Sequence, residues 1–295
     1  MNKPSVLVIY GEVLYDCFPD GNRVLGGAPF NVAWHCQAFG LNPLFISRVG
    51  SDQMGEQVKA AMQVWGMNIE GLQVDDIHPT GIVDVKFNNG EPVYDIVENS
   101  AWDFIDHECL PELNEDIMLY HGSLALRNDT SANTLCYIKK LTQASVFVDI
   151  NLRAPWWKIK RINEIISDCR WLKLNEDELG LVISEASAIE DKMKKLLSLN
   201  TLELLIVTLG GKGGLASDSP GKVYPFSPER VTDVVDTVGA GDSFSSVLLL
   251  GQYKNWPLHT TLQRAQQFAS AVVGIQGATI NDKEFYQPFI DEWQL

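Results

Sequence analysis

The stretch Asp236–Phe244, DTVGAGDSF, decides the fold prediction for this chain of 295 residues. It follows the strand-like segment Arg230–Val235 and precedes the apolar, helix-compatible run Phe244–Leu250. Glycine carries no Cβ, so backbone N–H groups around Gly239 and Gly241 can face inward and let an anion approach closely. In the first turn of a helix such groups lack partners, and the dipole end is positive. The stretch therefore predicts a strand–turn–helix unit with an anion site in its turn.

Asp242, at the end of this turn, allows two interpretations. An Asp at a helix N-terminus most often caps the helix and stabilises it by about 1 kcal/mol. Alternatively, its carboxylate acts on whatever the turn binds. The whole nine-residue string in this context favours the functional interpretation. The string lacks the G-x-x-x-x-G-K-[ST] of a P-loop and the G-x-G-x-x-G of a dinucleotide-binding fold, which weakens both of those alternatives.

Apolar strand-like runs alternate with helix-period segments along most of the chain. Such alternation predicts an α/β fold in which helices cover both faces of a mostly parallel sheet, with ligands at the carboxyl ends of the strands. The predicted strands are Ser5–Tyr10, Leu44–Val49, Ile117–His121, Val146–Ile150, Trp171–Leu174 and Leu204–Leu209. The predicted helices are Phe30–Phe39, Gln53–Trp65, Ala132–Thr142, Ile159–Ser167, Glu176–Ile183 and Asp242–Tyr253.

Two segments, 12–25 and 81–98, interrupt this alternation. Gly81–Glu98 has the pattern of a hairpin with an Asn-Gly turn at Asn88–Gly90. Glu12–Leu25 leaves the first strand and contains no helix pattern. Together they predict a small β-sheet lid over the site, within a single domain spanning residues 1–295. The alternative is a hairpin that extends the edge of the main sheet.

Composition and charge limit the classes of partner. The chain is 45% hydrophobic and 21% charged, as is typical of globular domains, and no run reaches the length of a membrane span. The start MNKPSVLVIYGE is interpreted as a first strand and not as a signal peptide, so we expect a cytoplasmic protein without a membrane partner. A formal net charge of −15 argues against nucleic acid. An anionic ligand would need local positive charge from a helix N-terminus, a metal ion and a few basic side chains.

A second motif, Gly26–Ala33 (GGAPFNVA), joins the glycine stretch. With both motifs the chain resembles the PfkB (ribokinase-like) carbohydrate kinase family, and is most similar to its fructokinases. The resemblance covers essentially the whole chain. It implies a three-layer α/β/α ribokinase-like domain with a β-sheet lid, ATP and Mg²⁺ as cofactors, and phosphorylation of a sugar hydroxyl.

The resemblance also implies roles for individual residues. Asp242 corresponds to the catalytic base that takes the proton of the acceptor hydroxyl. The anion hole around the γ-phosphate corresponds to Gly239, Ala240 and Gly241. The sugar contacts correspond to Asp16, in the segment GEVLYD, and to Gly26, Gly27 and Asn31.

Further motifs match the family between these two. Asp149, Asn151 and Arg153 follow an apolar strand at a spacing of two, so in extended geometry they point to one side, and Arg153 becomes a candidate phosphate clamp. Within the segment KLNEDE, Lys173 and Asn175 would contact the nucleotide. Asn175 and Glu178, one helical turn apart, suit a hydrated Mg²⁺, although alone this segment reads as a solvated helix start.

Weaker matches concern the nucleotide and a monovalent cation. The family uses the turn TLGGKGG along the nucleotide, which gives Thr208, Gly210 and Gly213, although alone it is typical of a tight turn. The segment Gln266–Gly277 resembles the helix and loop beside adenine. Many relatives respond to a cation such as K⁺, which the region of Asp236 and Val238 could bind.

The motif combination favours fructose as acceptor, giving fructose 6-phosphate. The alternatives are 2-dehydro-3-deoxygluconate, whose carboxylate Arg153 could also meet, and a nucleoside. From another class, the chain could be a sugar-binding regulator without catalysis, which the intact Asp242 disfavours. A nicotinamide-dependent dehydrogenase would need the dinucleotide fingerprint after the first strand, and Tyr10–Val13 does not supply it. A homodimer through the lid is a further prediction, because an exposed hairpin edge invites pairing.

Overall fold

The computed structural model describes residues 6–88, 91–185, 188–219, 221–228, 236–275 and 277–295. Its strands are β1 Val6–Tyr10, β2 Leu14–Cys17, β3 Arg23–Gly26, β4 Leu44–Gly50, β5 Leu72–Asp75, β6 Gly81–Asn88, β7 Glu91–Ile96, β8 Ile117–His121, β9 Ser145–Asp149, β10 Trp171–Asn175, β11 Leu204–Thr208, β12 Gly214–Asp218 and β13 Val223–Phe226. Its α-helices are α1 Ala28–Ala38, α2 Gln53–Trp65, α3 Asp129–Leu141, α4 Ile159–Ser167, α5 Glu176–Val182, α6 Ile189–Leu199, α7 Ala240–Tyr253, α8 Leu258–Val272 and α9 Lys283–Trp293.

The main sheet has the order β13-β12-β11-β10-β9-β8-β1-β4-β5. The strands from β11 to β5 in this order pair in parallel, and β12 and β13 add an antiparallel hairpin at one edge. Alternate residues of β1 belong to different apolar cores: Leu7 and Ile9 to one, Val8 and Tyr10 to the other. Helices therefore cover both faces, and the predicted three-layer α/β fold is confirmed.

A second, four-stranded sheet has the order β3-β2-β6-β7. Its central strands β2 and β6 run parallel, whereas both outer pairs are antiparallel. The segments 12–25 and 81–98 thus build a sheet of their own and do not extend the main sheet. The function of this sheet as a lid stays a prediction. Of the predicted Asn88–Gly90 turn, residues 89 and 90 lie outside the described residues, as do Ser5 and the whole of the predicted strand Arg230–Val235.

Helices α3 and α7 begin earlier than predicted, because the residue at the cap position lies before the first apolar residue of the helix pattern. Helix α3 begins at Asp129, because the side chain of Asn128 accepts the N–H of Thr130 at 2.9 Å. Helix α7 begins at Ala240, two residues before the predicted start. Within the described part of the chain, none of the helices combines the length and apolar character needed to cross a membrane.

Candidate active site

A cavity of about 430 Å³ lies between the carboxyl ends of the parallel strands and the four-stranded sheet. Each of four parallel strands of the main sheet contributes a polar residue at or just beyond its end. These residues are Glu12 after β1, Asp149 of β9, Asn175 of β10 and Thr208 of β11. The four-stranded sheet adds Asp16 of β2 and Tyr94 of β7, among others. The cavity is therefore where the parallel topology predicts a ligand site.

Asp242 enters this cavity from the first turn of α7, as the third residue of the helix. The residue at the cap position is Gly239, with φ 79°, and the helix has no side-chain cap. The Asp242 carboxylate accepts a hydrogen bond from the Asn31 amide, with Nδ2 and Oδ2 2.8 Å apart. The alternative that Asp242 caps its helix is therefore wrong, and this carboxylate remains available to a ligand.

Burial raises the pKa of four carboxyl groups of the cavity, those of Glu12, Asp16, Glu178 and Asp242. Burial raises the pKa of Asp242 to about 6, against the lowering effect of the Asn31 hydrogen bond. Burial also raises the pKa of Glu12 to about 7 and that of Asp16 to about 6. A carboxylate with such a pKa is more basic than an ordinary Asp, which suits it to accept a proton near neutral pH.

Lys173 lies beside the glycine turn. Its side chain is 7% exposed, and its Nζ lies 2.6 Å from Oδ2 of Asp149, which also accepts the hydroxyl of Ser245 at 2.7 Å. A Cβ added to Gly241 would lie 3.5 Å from the same Nζ. The ammonium group is thus held rigidly next to the first turn of α7, where it adds positive charge to that of the helix N-terminus.

Asp149, Asn151 and Arg153 all line the cavity, although the geometry from which this was predicted is wrong. Strand β9 ends at Asp149, and Asn151 has a φ of 43°, in the left-handed region. A turn, and not an extended strand, therefore brings Asn151 and Arg153 to the site. Arg153 is exposed.

Asn175 and Glu178 form a capping box at the start of α5. The Asn175 side chain accepts the N–H of Glu178 at 2.9 Å, and Glu178 accepts the N–H of Asn175 at 2.8 Å and that of Leu152 at 2.7 Å. Among the described residues, no group of three His, Cys, Asp or Glu side chains is placed to hold an ion directly. Each Glu178 oxygen keeps a lone pair for a water molecule. The pair therefore fits a hydrated Mg²⁺.

The predicted sugar contacts lie close together across the cavity. A Cβ added to Gly26 would lie 3.6 Å from Oδ2 of Asp16 and 3.8 Å from Oδ1 of Asn31. Gly27 has a φ of 110°, and a Cβ there would lie 2.6 Å from the carbonyl oxygen of Glu12. Only glycine fits this position, which holds the GGAPFN segment against the end of β1.

Some predicted residues are not among the described residues that line the cavity. Val238 and Thr208 line it, whereas Gly26, Ala240, Asp236, Gly210 and Gly213 do not. A Cβ at Gly213 would lie 2.1 Å from the carbonyl oxygen of Phe226, so this glycine allows close packing on β13. The Asp236 carboxylate already accepts the N–H groups of Val238 and Gly277. In the predicted adenine segment, α8 ends at Val272 and residue 276 lies outside the described residues.

Comparison with known families identifies the chain. The pfkB family carbohydrate kinases match residues 8–284. This chain belongs to that family. As a pfkB family kinase it is a phosphotransferase that acts on a sugar hydroxyl, and the resemblance of its motifs is confirmed.

Curated relatives and solved structures agree with the family. The chain is 28% identical to fructokinase-2 of Oryza sativa subsp. japonica, over 91% of this chain and 87% of the relative. It is 30% identical to a fructokinase of Klebsiella pneumoniae, over 82% and 83%. Its fold matches the fructokinase of Vibrio cholerae O395 in its fructose, ADP and calcium ion bound form, with a TM-score of 0.81 and 24% identity over 96% and 98% of the chains.

Glu12 is a residue of this pfkB kinase site that the sequence reasoning did not select. It is 3% exposed, it lines the cavity, and its Oε2 has no hydrogen-bond partner among the described residues. The available signal is a charged residue two positions after the end of the buried strand β1. Because a carboxyl group there faces the ligand region of a parallel sheet, its position alone could have indicated it.

Proposed function

We propose that this kinase transfers the γ-phosphoryl group of ATP to a hydroxyl of fructose, giving fructose 6-phosphate. One observation carries the proposal: the Asp242 carboxylate, held by Asn31 and made basic by burial, shares a cavity with the first turn of α7 and with Lys173. A proton acceptor and a phosphate-binding helix end are thus combined in one site. The two relatives named as fructokinases support fructose as the acceptor.

In this mechanism Asp242 orients the acceptor hydroxyl and takes its proton as the oxygen attacks the γ-phosphate. The N–H groups from Gly239 to Gly241, Lys173 and Arg153 bind the phosphate oxygens. Asp16, Gly26, Gly27 and Asn31 hold the sugar. Phosphoryl transfer depends mainly on such positioning and on neutralised charge, and general-base help contributes roughly 10²–10⁴-fold.

The charge of the cavity supports a divalent metal. Among the described residues that line it, carboxyl groups outnumber basic side chains. The carboxyl groups are those of Glu12, Asp16, Asp149, Glu178 and Asp242, and the basic side chains are those of Arg153 and Lys173. A polyphosphate would therefore meet net repulsion. Mg²⁺, held through water by Asn175 and Glu178, would neutralise phosphate charge. The Vibrio cholerae fructokinase structure contains ADP together with a calcium ion, which supports a site that binds a nucleotide and a divalent cation.

A substrate panel tests the proposal. We expect kcat/KM for fructose to exceed that for 2-dehydro-3-deoxygluconate and for nucleosides, measured at saturating MgATP with a coupled ADP assay. A preference for the sugar acid would assign Arg153 to its carboxylate and overturn the fructose proposal. Binding of fructose without ADP formation would favour a non-catalytic regulator.

The reaction is expected to fail at acid pH. Asp242 must be unprotonated to accept a proton, and because its pKa is raised to about 6, the active form is lost as the pH falls through that value. Below pH 6, kcat/KM for the sugar should therefore fall by about tenfold per unit. The measurement is a rate profile from pH 4.5 to 8.5. The KM of MgATP at each pH serves as the control, and a flat profile down to pH 5 would contradict the role of Asp242.

Four further properties are proposals of the same kind. The four-stranded sheet is proposed to act as a lid and to pair with a second copy of this chain. Val24 of β3 and Val93 and Tyr94 of β7 are exposed apolar residues on its two edge strands, which suits such pairing. The cytoplasmic location and a K⁺ near Asp236 and Val238 stay predictions.

A further inference from the structure

A second cleft, of about 360 Å³, lies beyond the loop that follows β9. It shares no lining residue with the main cavity in the described part of the chain. The loop separates the two: Arg153 lines the main cavity, whereas Pro155 and Trp156 line the second cleft. Neither the motifs nor the kinase mechanism uses the residues of this cleft.

Arg127 of this cleft is buried and only partly paired. Its side chain is 6% exposed, and Nε and Nη2 both donate to Asp103 at 2.7 Å. The guanidinium carbon lies 4.2 Å from the ring centre of Trp102 and 4.5 Å from that of Trp156. The remaining nitrogen, Nη1, is buried without a hydrogen-bond partner among the described residues. A buried donor of a charged group is rarely left unpaired, so Nη1 indicates a ligand with an acceptor oxygen.

Two helices begin at the same cleft. Asn128 caps α3, and Lys158 occupies the cap position of α4 without a side-chain cap bond. Both residues line the cleft. The first N–H groups of α4 thus lack a side-chain acceptor, and both helix ends carry positive partial charge. Two carboxylates of the cleft, those of Glu98 and Asp103, would repel an anion, but Asp103 is already paired with Arg127.

We propose that this cleft binds a small oxyanion of the phosphate class through Nη1 of Arg127, the ammonium of Lys158 and the N-terminal end of α4. Inorganic phosphate and the phosphate group of a sugar phosphate share this chemistry. Because Nη1 is buried, binding must open the cleft at this point, and Trp156, whose partly exposed ring lies over the guanidinium, lines the cleft there. Occupancy therefore changes tryptophan fluorescence.

Phosphate titrations of the full chain test the proposal. Calorimetry with inorganic phosphate is expected to show about tenfold weaker binding in Lys158→Glu and in Asn128→Asp than in the wild type. Asp caps a helix as well as Asn does, so the second variant keeps α3 while placing a negative charge at the cleft. Lys140→Glu is the matched control, because it makes the same charge change on an exposed residue in the last turn of α3 that does not line the cleft.

The main cavity can also take phosphate, but both cleft variants leave it unchanged, so the difference from Lys140→Glu reports on the cleft alone. A parallel titration with fructose 6-phosphate shows whether the cleft prefers inorganic phosphate or the phosphate group of a sugar phosphate. The phosphate-induced fluorescence change is expected to be smaller in Trp156→Phe, where only Trp102 still lies over the guanidinium. Equal weakening in Lys158→Glu and Lys140→Glu, no saturable wild-type binding at the cleft, or a fluorescence change of wild-type size in Trp156→Phe would each overturn the proposal.

Discussion

Replacement of Asp242 by Asn is expected to lower kcat by roughly 10²–10⁴-fold, while the nucleotide still binds and the fold is kept. The amide has the shape of the carboxylate but cannot accept the proton of the sugar hydroxyl. Its carbonyl oxygen can still accept the hydrogen bond from Nδ2 of Asn31, which holds Oδ2 of Asp242 at 2.8 Å. The change also removes a charge whose burial raises the pKa to about 6, so Tm should stay the same or rise.

Three measurements on purified protein separate these effects: kcat at saturating fructose, ADP affinity by calorimetry, and Tm. Asp177→Asn is the matched control, because Asp177 lies in the first turn of α5 but is exposed and does not line the cavity. It should behave as the wild type in all three. Turnover near the wild-type value in Asp242→Asn would remove Asp242 from the chemistry, and a lower Tm would assign the loss to the fold.

The central fold could be predicted because its signals are local. Apolar residues at helical spacing predict the helices Gln53–Trp65 and Ile159–Ser167 with the same bounds as the structure. Buried parallel strands such as β8 stand out as continuous apolar runs. The edge hairpin of β12 and β13 was missed, because GLASD and VYPF are short and only partly buried. Edge strands are set by pairing with a neighbour, which no local pattern records.

For the site, too, the sequence predicts which residues come together but not the contacts that they make. Chain topology places the ends of parallel strands together, so Asp149, Asn175 and Thr208 could be assigned to one region before any coordinates. The hydrogen bond between Asn31 and Asp242 joins residues 211 positions apart, and its existence depends on how α1 packs against α7. Likewise, the raised pKa of Asp242 results mainly from burial, which is a property of the folded chain. The sequence named these residues but could not supply their environment.

Replacement of Gly241 by Ala is expected to lower kcat/KM for ATP by about 10²-fold without loss of stability. Gly241 lies in helix α7, where Ala is favoured over Gly by up to about 1 kcal/mol. The added Cβ would lie 3.5 Å from Nζ of Lys173, which is an ordinary contact. Gly241 also lines the cavity, so the same methyl group narrows the approach of a phosphate to the amides of the first turn. Steady-state kinetics with varied MgATP and Tm measure the two effects.

Gly239→Ala should behave differently, because this glycine is required by the fold itself. Its φ of 79° costs an L-residue roughly 1–2 kcal/mol, and a Cβ there would lie 2.5 Å from that of Ala278, so Tm and activity should fall together. Gly211→Ala is the neutral control, since its added Cβ would meet no atom within 4 Å among the described residues other than its chain neighbours. If Gly241→Ala left kcat/KM unchanged, phosphate would not approach this turn. Separate responses at positions 239 and 241 would instead show that one glycine shapes the turn and that the other leaves room for the anion.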